Sequence, residues 1–333
     1  MSEPRASAPS SSRVGVRDVA RAAGVSTQTV SRVINEQPNI RPETRDRVLR
    51  AIADLGYRVN NAARALGTRT TRTLGVIASD ATLYGPAVGI AALEAAAREA
   101  GRWIATAYAD ASDEASVRDA ADRLLGQGVD GLIVLAPHAA TLPALVDAHA
   151  GIAVAALHSG QGASPQEAGA ALAVTHLLAL GHRRIARVAG PDDWLEARSR
   201  EAGALRALAE AGIEPGRRWS GDWTAAAGAA IAGEVAAAVR ASEGPTAIAV
   251  ANDQMALGLI AGLRHAQLDV PGDVSVAGFD DNPDAAFYRP ALTTVGLDLA
   301  GEARRAVAEV LGAPAPAVAP PRLVVRASTA PPR

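Results

Sequence analysis

Two side chains with hydrogen-bonding ends follow a glycine turn near the amino terminus, in the string DVARAAGVSTQTVSRVIN of residues 18–35. Val30 and Val33 predict the buried face of a helix, so Gln28 and Arg32 project from its outer face. A glutamine can form two hydrogen bonds with adenine, and an arginine can form two with guanine. The spacing is typical of a helix-turn-helix, whose second helix enters the major groove of DNA. A three-helix bundle without a nucleic-acid partner is the open alternative.

The elements that must hold this face are three short helices within residues 14–59. We expect them over residues 18–23, 27–35 and 44–55, with Ser26 capping the second one. The third helix carries an apolar inner face and ends at a glycine, so it completes a small all-α headpiece.

Hydroxyl side chains and the distribution of charge also favour DNA binding by the headpiece. Thr27 also projects from the outer face, while Thr29 and Ser31 suit phosphate contacts, which fix register without reading sequence. Residues 1–72 carry 13 arginines and 6 acidic residues, a formal charge of +7, whereas residues 73–333 carry −9. A basic amino-terminal segment followed by an acidic remainder indicates that the amino-terminal segment binds nucleic acid. A basic surface that only faces solvent would give the same uneven distribution of charge.

Residues 60–72 form a separate piece. A short helix over 62–66 is predicted, capped by Asn60-Asn61, and it is too short to be stable alone in water. We expect it to be helical only when something holds it. Residues 1–13 are polar, lack the apolar segment of a secretory signal, and read as a disordered tail.

From residue 73 the pattern changes to alternating strands and helices. Strands are predicted at 73–79, 102–108, 131–136, 153–157, 184–190, 247–252 and 274–280. Helices are predicted at 86–100, 113–127, 166–180, 194–211, 225–240 and 253–266. This alternation favours parallel sheets covered by helices. Two successive sets of about five strands predict two lobes with a cleft between them. Ser79 ends the first strand, where cleft residues lie in open α/β sheets.

Several classes of protein are disfavoured. The absence of cysteine excludes a disulfide framework and a cysteine nucleophile, and it fits a reducing compartment. The chain has no G-x-x-x-x-G-K-[ST], G-x-S-x-G or H-E-x-x-H motif, and its six histidines are scattered. We therefore expect no catalytic residue, metal or cofactor, although an enzyme on a doubly wound fold is the main alternative class. No long uninterrupted apolar run predicts a membrane span, so a cytoplasmic location is expected.

Longer motifs carry a resemblance to a known family. The headpiece reads VRDVARAAGVSTQTVSRVIN and then RPETRDRVLRAIADLGYRVNNAARAL, and later segments read AGP (189–191), VANDQMALG (250–258), VAGFDD (276–281) and PALTTV (290–295). Together these resemble the lactose-repressor (LacI/GalR) family of transcription regulators over about residues 14–330. The resemblance implies a helix-turn-helix headpiece joined by a hinge helix to an α/β, periplasmic-binding-protein-like, two-lobed effector domain.

The resemblance also implies which residues contact DNA. Leu66 stands where the family inserts a leucine from each hinge helix into the minor groove, and such a wedge kinks the duplex. Two headpieces in a homodimer would then bind a pseudo-palindromic operator. The expected DNA-contacting residues are Thr27, Gln28, Thr29, Ser31, Arg32, Asn35, Asn61, Arg64 and Leu66.

By the same matching, residues 73–333 bind an effector and dimerise. The lobes are expected over 73–160 with 293–320, and over 166–290 with 322–330. A guanidinium, an amide and a carboxylate can together hold neighbouring hydroxyls, and an aromatic face can pack on a sugar ring. The expected effector-binding residues are Ser79, His158, Arg200, Trp223, Asn252 and Asp280.

Departures from the family leave the effector open. Leu135 and Leu299 stand where relatives carry an amide and an aromatic side chain, and the stretch 159–165 is shortened. A small sugar, as in a galactoside, is the favoured effector. A purine or another co-repressor, or a sugar-binding protein without DNA binding, is the alternative. No carboxy-terminal leucine heptads are present, so we expect a dimer formed by helix 86–100 and the region 253–266.

Overall fold

The computed structural model describes residues 14–35, 37–57, 70–79, 82–135, 137–158 and 163–333. The chain divides into two compact units, Met1–Thr71 and Arg72–Arg333. The predicted tail over 1–13 and the predicted hinge helix over 62–66 lie outside the described residues.

The first unit contains the three predicted helices, α1 Val16–Ala23, α2 Thr27–Ile34 and α3 Pro42–Asp54. The third helix begins two residues earlier than predicted because a proline fits its first turn, where a backbone N–H would have no helical partner. The Ser26 hydroxyl accepts a hydrogen bond from the Thr29 amide at 3.1 Å, so the predicted cap is present. Buried valines and alanines from all three helices form one small core.

The second unit begins with a parallel sheet of four strands in the order β2-β1-β3-β4. Its strands are β1 Thr73–Ala78, β2 Trp103–Tyr108, β3 Leu132–Val134 and β4 Val154–Ala156. Its helices are α4 Tyr84–Glu99, α5 Glu114–Gly126 and α6 Thr141–Ala148. Alternate side chains of β1 enter different cores: Leu74 and Val76 pack in one and Ile77 in the other.

A second parallel sheet of four strands follows, in the order β6-β5-β7-β8. Its strands are β5 Ile185–Ala189, β6 Arg218–Ser220, β7 Ala247–Val250 and β8 Ser275–Ala277. Its helices are α7 Ala163–Ala179, α8 Leu195–Glu210, α9 Ala225–Val239, α10 Asp253–His265 and the 3₁₀ helix Pro283–Phe287. Apolar cores cover both of its faces.

The last elements return to both sheets. Strands β9 Thr294–Gly296 and β10 Arg322–Val324 form an antiparallel pair, and between them α11 Leu299–Val310 packs in the core of the first sheet with Leu74 and Leu93. The chain therefore moves from the first sheet to the second after β4, back after β9, and to the second again at β10.

Some expectations need correction. Each described parallel sheet has four strands, not about five. Residues 293–296 were expected in the first lobe, but Thr293 pairs with Ala277 of β8, so they lie against the second sheet. Helices α6 and α11 and strands β6, β9 and β10 were not predicted. Pro143 near the start of α6 argued against a helix there, and each of the three strands has only three residues.

Helices α9 and α10 pack closely because glycines lie at their contact. A methyl group on Gly258 would overlap the carbonyl oxygen of Ala225, and one on Gly228 would overlap that of Met255. Gly233, on the exposed side of α9, has open space beside it.

The substitution Gly258→Ala should lower the free energy of unfolding by about 1–3 kcal/mol, because the helices must move apart. The matched change Gly233→Ala should raise it by about 0.5–1 kcal/mol, since alanine favours an exposed helix position. Urea unfolding followed by tryptophan fluorescence measures both, because all four tryptophans belong to the second unit. Equal stability of Gly258→Ala and the parent would contradict this packing.

Candidate ligand cleft and nucleic-acid interface

The outer face of α2 presents the predicted base-reading side chains to solvent. Thr27, Gln28, Ser31 and Arg32 are exposed. Gln28 and Arg32 are four residues apart and therefore share one helical face. This geometry leaves an amide and a guanidinium free of the headpiece core.

Two other predicted DNA contacts have bonds within the headpiece. The Thr29 hydroxyl lies 2.9 Å from the Ser26 hydroxyl, so it takes part in the helix cap. The Asn35 amide donates to the Ser31 hydroxyl at 3.3 Å. Their contact with phosphate stays a prediction. Three further predicted contacts, Asn61, Arg64 and Leu66, lie outside the described residues.

The carboxyl ends of the two parallel sheets meet at a cavity between the lobes, the main cavity. Five of the six side chains matched to effector contacts line it, although they come from distant parts of the chain. They are His158 after β4, Arg200 on α8, Trp223 before α9, Asn252 after β7 and Asp280 after β8. Their role in binding a ligand stays a prediction.

Arg200 is the centre of the polar side of the cavity. Its Nη1 lies 3.1 Å from Oδ1 of Asp280, and the two side chains are only 11% and 13% exposed. Its Nε donates to Oε1 of Gln166 at 2.7 Å, and Nη1 also donates to the carbonyl of Ala251. The guanidinium carbon lies 4.0 Å from the ring centre of Phe279. Arg200 therefore joins α7, α8 and the ends of β7 and β8.

Asp280 belongs to a pair of buried carboxyl groups. Desolvation raises the pKa of Asp280, and the positive charge of Arg200 opposes that rise. Burial and the nearby Asp280 raise the pKa of Asp253, whose oxygens accept bonds from the Thr294 hydroxyl at 2.6 Å and the Asn282 amide at 2.8 Å. Asp253 thus braces the segment that carries Asp280.

Trp223 forms an aromatic wall of the cavity. Its backbone has φ 77°, and its ring meets that of Trp194 edge-on with centres 5.6 Å apart. A side chain on Gly190, in the AGP motif, would overlap the Trp223 ring, so glycine lets the ring lie against the end of β5. Asn252 donates to the Trp223 carbonyl at 2.9 Å and caps α10 by accepting from the Met255 amide at 2.9 Å. Much of the hydrogen-bonding capacity of Asn252 is therefore structural.

His158 and Glu196 are buried polar groups on the cavity wall. Burial, together with the charges of Arg200 and Arg305, lowers the pKa of His158 to about 3, so its ring is neutral at physiological pH. Burial raises the pKa of Glu196 to about 7. Nδ1 of His158 and Oε2 of Glu196 have no hydrogen-bond partner among the described residues. Unpartnered buried polar atoms are costly, and a ligand could satisfy these two.

Sequence reasoning missed several residues that line the cavity. Trp194 and Glu196 lie between the end of β5 and the first turn of α8, in the region where open α/β sheets place ligand contacts. That rule, applied to AGP, points to this segment but not to which of its residues line the cavity. Gln254 accepts a hydrogen bond from the Tyr84 amide at 3.1 Å, so it links α10 to the start of α4 across the cleft; no motif signalled this contact.

Ser79 lies apart from the other five residues. It does not line the main cavity but a neighbouring recess at the ends of β1 and β2, and its role as an effector contact stays a prediction. Trp194 lines both spaces. The two departures noted in the sequence, Leu135 and Leu299, line the main cavity and make its first-lobe side apolar.

The described residues give no evidence for a metal site, a membrane-spanning helix or a dinucleotide-binding loop. They contain no group of three or more potential metal ligands, and within them no helix has the length and apolar character needed to cross a bilayer. The string GQGVDG at 126–131 has the glycine spacing of a dinucleotide loop. It leads from α5 into β3, however, whereas such a loop must lead from a strand into a helix.

Comparisons with known proteins agree with both halves of this architecture. Residues 16–60 match the family described as bacterial regulatory proteins, lacI family. Residues 174–329 match a periplasmic binding protein-like domain.

Two curated relatives and one solved structure illustrate the similarity. The lactose operon repressor of Escherichia coli K12 is 36% identical over 294 residues, covering 86% of this chain and 80% of the relative. The transcriptional repressor PurR of Vibrio parahaemolyticus is 32% identical, covering 84% and 86%. A lac repressor dimer bound to operator and the anti-inducer ONPF superimposes with a TM-score of 0.79 at 32% identity, covering 96% of this chain and all of that one.

The chain belongs to the lacI family of bacterial regulatory proteins. The resemblance read from its motifs is confirmed, and so is the fold class of a helix-turn-helix headpiece with a two-lobed, periplasmic-binding-protein-like domain.

The buried Glu196 makes stability depend on pH. Its pKa is raised to about 7 in the folded chain, so the folded state holds a proton that the unfolded chain releases above its ordinary, lower pKa. The contribution of Glu196 to stability is therefore full at low pH and is lost as pH rises from about 5 to about 8. Glu196→Gln should flatten this fall by on the order of 2–3 kcal/mol. Asp280 and Asp253 contribute a slope of the same sign, and the lowered pKa of His158 contributes one of the opposite sign below about pH 6.5, so the difference between variant and parent isolates Glu196.

The measurement is urea unfolding at a series of pH values. Glu210→Gln is the matched control, because Glu210 lies at the exposed end of the same helix, with a side chain 72% exposed. It should keep the parent's pH dependence. A Glu196→Gln curve parallel to that of the parent would refute the assignment.

Proposed function

We propose that this protein is a transcriptional repressor that binds a pseudo-palindromic operator as a homodimer and is released by a small sugar. It would act in the cytoplasm, where the DNA is. The exposed Gln28 and Arg32 on α2 support the DNA-binding half of the proposal, and the cavity around Arg200 supports the ligand-binding half.

The observation that carries the effector assignment is the Arg200–Asp280 pair facing the ring of Trp223. The guanidinium carbon lies 5.3 Å from the centre of that ring. A sugar presents neighbouring hydroxyls that both donate and accept, together with an apolar C–H face. A charged pair beside an aromatic wall matches both surfaces, and Glu196 and His158 add polar atoms that still lack partners.

Dimerisation has support in exposed apolar side chains. Leu257 on α10 is 38% exposed, and Trp103 and Tyr108 on the edge strand β2 are 64% and 54% exposed. Large apolar side chains that are exposed on a helix and on an edge strand would be covered in a dimer. We propose that α4 with β2, and α10, form the dimer surface.

Release from DNA would follow from a difference in the ligand's affinity for two states of the cleft. A ligand shifts an equilibrium only as far as it binds one state better than the other. A sugar that contacts Arg200 in the second lobe and Leu135 in the first favours the closed cleft. We propose that closure moves the first lobes of the dimer and so disfavours operator binding.

The headpiece assignment predicts a base-specific effect. Gln28→Ala should cost about 1–3 kcal/mol in affinity for the preferred duplex and relax the preference at one base position. The preferred duplex is found by repeated selection of the full chain on a randomised library, and affinities are then measured by fluorescence anisotropy. Gln37→Ala is the matched control, since this exposed glutamine lies beyond the end of α2.

Uniform weakening on all duplexes by Gln28→Ala would contradict base reading. Failure of the full chain to retain any duplex, even at low ionic strength, would overturn the DNA-binding half of the proposal.

The cavity assignment predicts that Arg200→Ala abolishes the response to ligand but keeps operator binding. The response is the change in operator retention when galactose, glucose, common disaccharides or purine bases are added. Arg206→Ala, on the same helix with a side chain 51% exposed, should respond as the parent does. A response retained by Arg200→Ala would refute the assignment, and a response to purines alone would replace the sugar by a purine. Loss of operator binding as well would indicate misfolding, in which case Arg200→Lys is tested instead.

A further inference from the structure

An inner cavity lies within the second lobe, between the parallel sheet and the helices α7 and α8 that cover one face of it. Its lining residues come from these two helices, from β5 and β7, and from the segment after β8. Seven of them are alanines: Ala170, Ala173, Ala189, Ala197, Ala204, Ala249 and Ala251. Unlike the main cavity, this space is bounded by one lobe alone.

The alanines leave space towards the carboxyl ends of the strands. At the amino end of β5, Ile185 is fully buried in one core with Leu177 of α7 and Leu208 of α8. Farther along the same face, Ala249 of β7 is partly accessible, although β7 is an inner strand of a sheet that has apolar cores on both faces. Protein interiors are normally packed without gaps, so this end of the core has room that the other end lacks.

Phe279 keeps the helices from closing this space. It lines the cavity, and a methyl group on Gly169 of α7 would overlap its ring. A methyl group on Gly203 of α8 would overlap the carbonyl oxygen of Glu167 on α7. Helix α7 therefore already touches both the ring of Phe279 and helix α8, so it cannot move closer to the sheet.

A buried ion pair joins the sheet to α8 at the wall of the inner cavity. The Arg187 side chain is only 7% exposed, its Nε donates to Oε1 of Glu201 at 3.0 Å, and its Nη1 donates to the Gly216 carbonyl at 3.1 Å. Arg200, the other arginine of the lining, pairs with Asp280. Each buried cation thus has its own carboxylate, so a ligand in this cavity needs no charge.

A guanidinium between apolar walls favours an aromatic ligand. A cation of this kind is attracted to the face of an aromatic ring, and two arginines of this lobe already make such contacts. The guanidinium carbon of Arg200 lies 4.0 Å from the ring centre of Phe279, and that of Arg217 lies 4.9 Å from the ring centre of Trp219. The alanine methyl groups complete an apolar lining, and apolar cavities take up small apolar molecules rather than water.

We propose that the inner cavity binds a small uncharged aromatic molecule, whose ring lies against the Arg187 guanidinium and the alanines of α7 and α8. The site goes beyond the proposed function, because it does not require a sugar in the main cavity. Arg200 lines both spaces, so the occupant contacts a side chain that also forms the floor of the main cavity.

Saturation-transfer NMR of the full chain with indole as the probe tests this proposal. The parent should bind indole with a Kd on the order of 1 mM or below. Ala204→Leu fills the cavity from α8 and should weaken binding at least about tenfold. Indole-3-carboxylate carries a negative charge on the same ring system, and it should bind at least about tenfold more weakly than indole, because the buried arginines already have carboxylate partners.

Ala202→Leu is the matched control, because Ala202 lies on the exposed side of the same helix. It should bind indole as the parent does. Urea unfolding shows which variants are folded, and if Ala204→Leu is not, Ala249→Val fills the cavity from the sheet, where valine suits a strand.

Three results would overturn the proposal: no saturable indole signal up to the solubility limit, undiminished binding in a folded variant with the cavity filled, or equal affinity for indole and indole-3-carboxylate. Each of them leaves the proposed function standing.

Discussion

The ion pair between Arg200 and Asp280 is the interaction on which the cleft depends. Both side chains are nearly excluded from water, and a carboxylate buried without a cation would be costly. The same guanidinium binds Gln166 and the Ala251 carbonyl, so one side chain fixes the ends of β7 and β8 relative to α7. Removing either partner would leave an uncompensated buried charge, so the floor of the cavity holds together as a unit.

This arrangement divides the cavity into two chemically different sides. The second lobe supplies the charged pair, Glu196 and Gln254, whereas the first lobe supplies the leucines Leu83 and Leu135 beside the neutral His158. In the proposed mechanism of closure, a ligand would bind the polar floor first and contact the leucines when the cleft closes. The ligand would then have a higher affinity for the closed state than for the open one, and this difference in affinity is what shifts the equilibrium between the two states.

Most helices and strands, and most of the residues that line the cavity, could be predicted from the sequence. The periodicity of apolar residues predicts the elements, and the long family motifs indicate the lining residues. Ser26, Val30 and Val33 specified α2 through a cap and an apolar stripe. Local sequence patterns did not predict features that depend on contacts between distant parts of the chain. Glu196 is an acid in the first turn of a helix, which sequence treats as ordinary, and only the burial around it makes it unusual. Ser79 lines the neighbouring recess and not the main cavity, which its position at the end of β1 alone did not distinguish.

Three non-glycine residues of the cavity wall have left-handed backbones: His158 with φ 59°, Trp223 with φ 77° and Asp280 with φ 112°. Residues other than glycine rarely adopt a positive φ unless the surrounding structure holds the backbone in that conformation. The main-chain path around the ligand is thus set by the scaffold before any ligand arrives. Substitutions at Leu135 or Glu196, whose side chains line the same wall, would therefore change the chemistry offered to a ligand while the main chain kept its path.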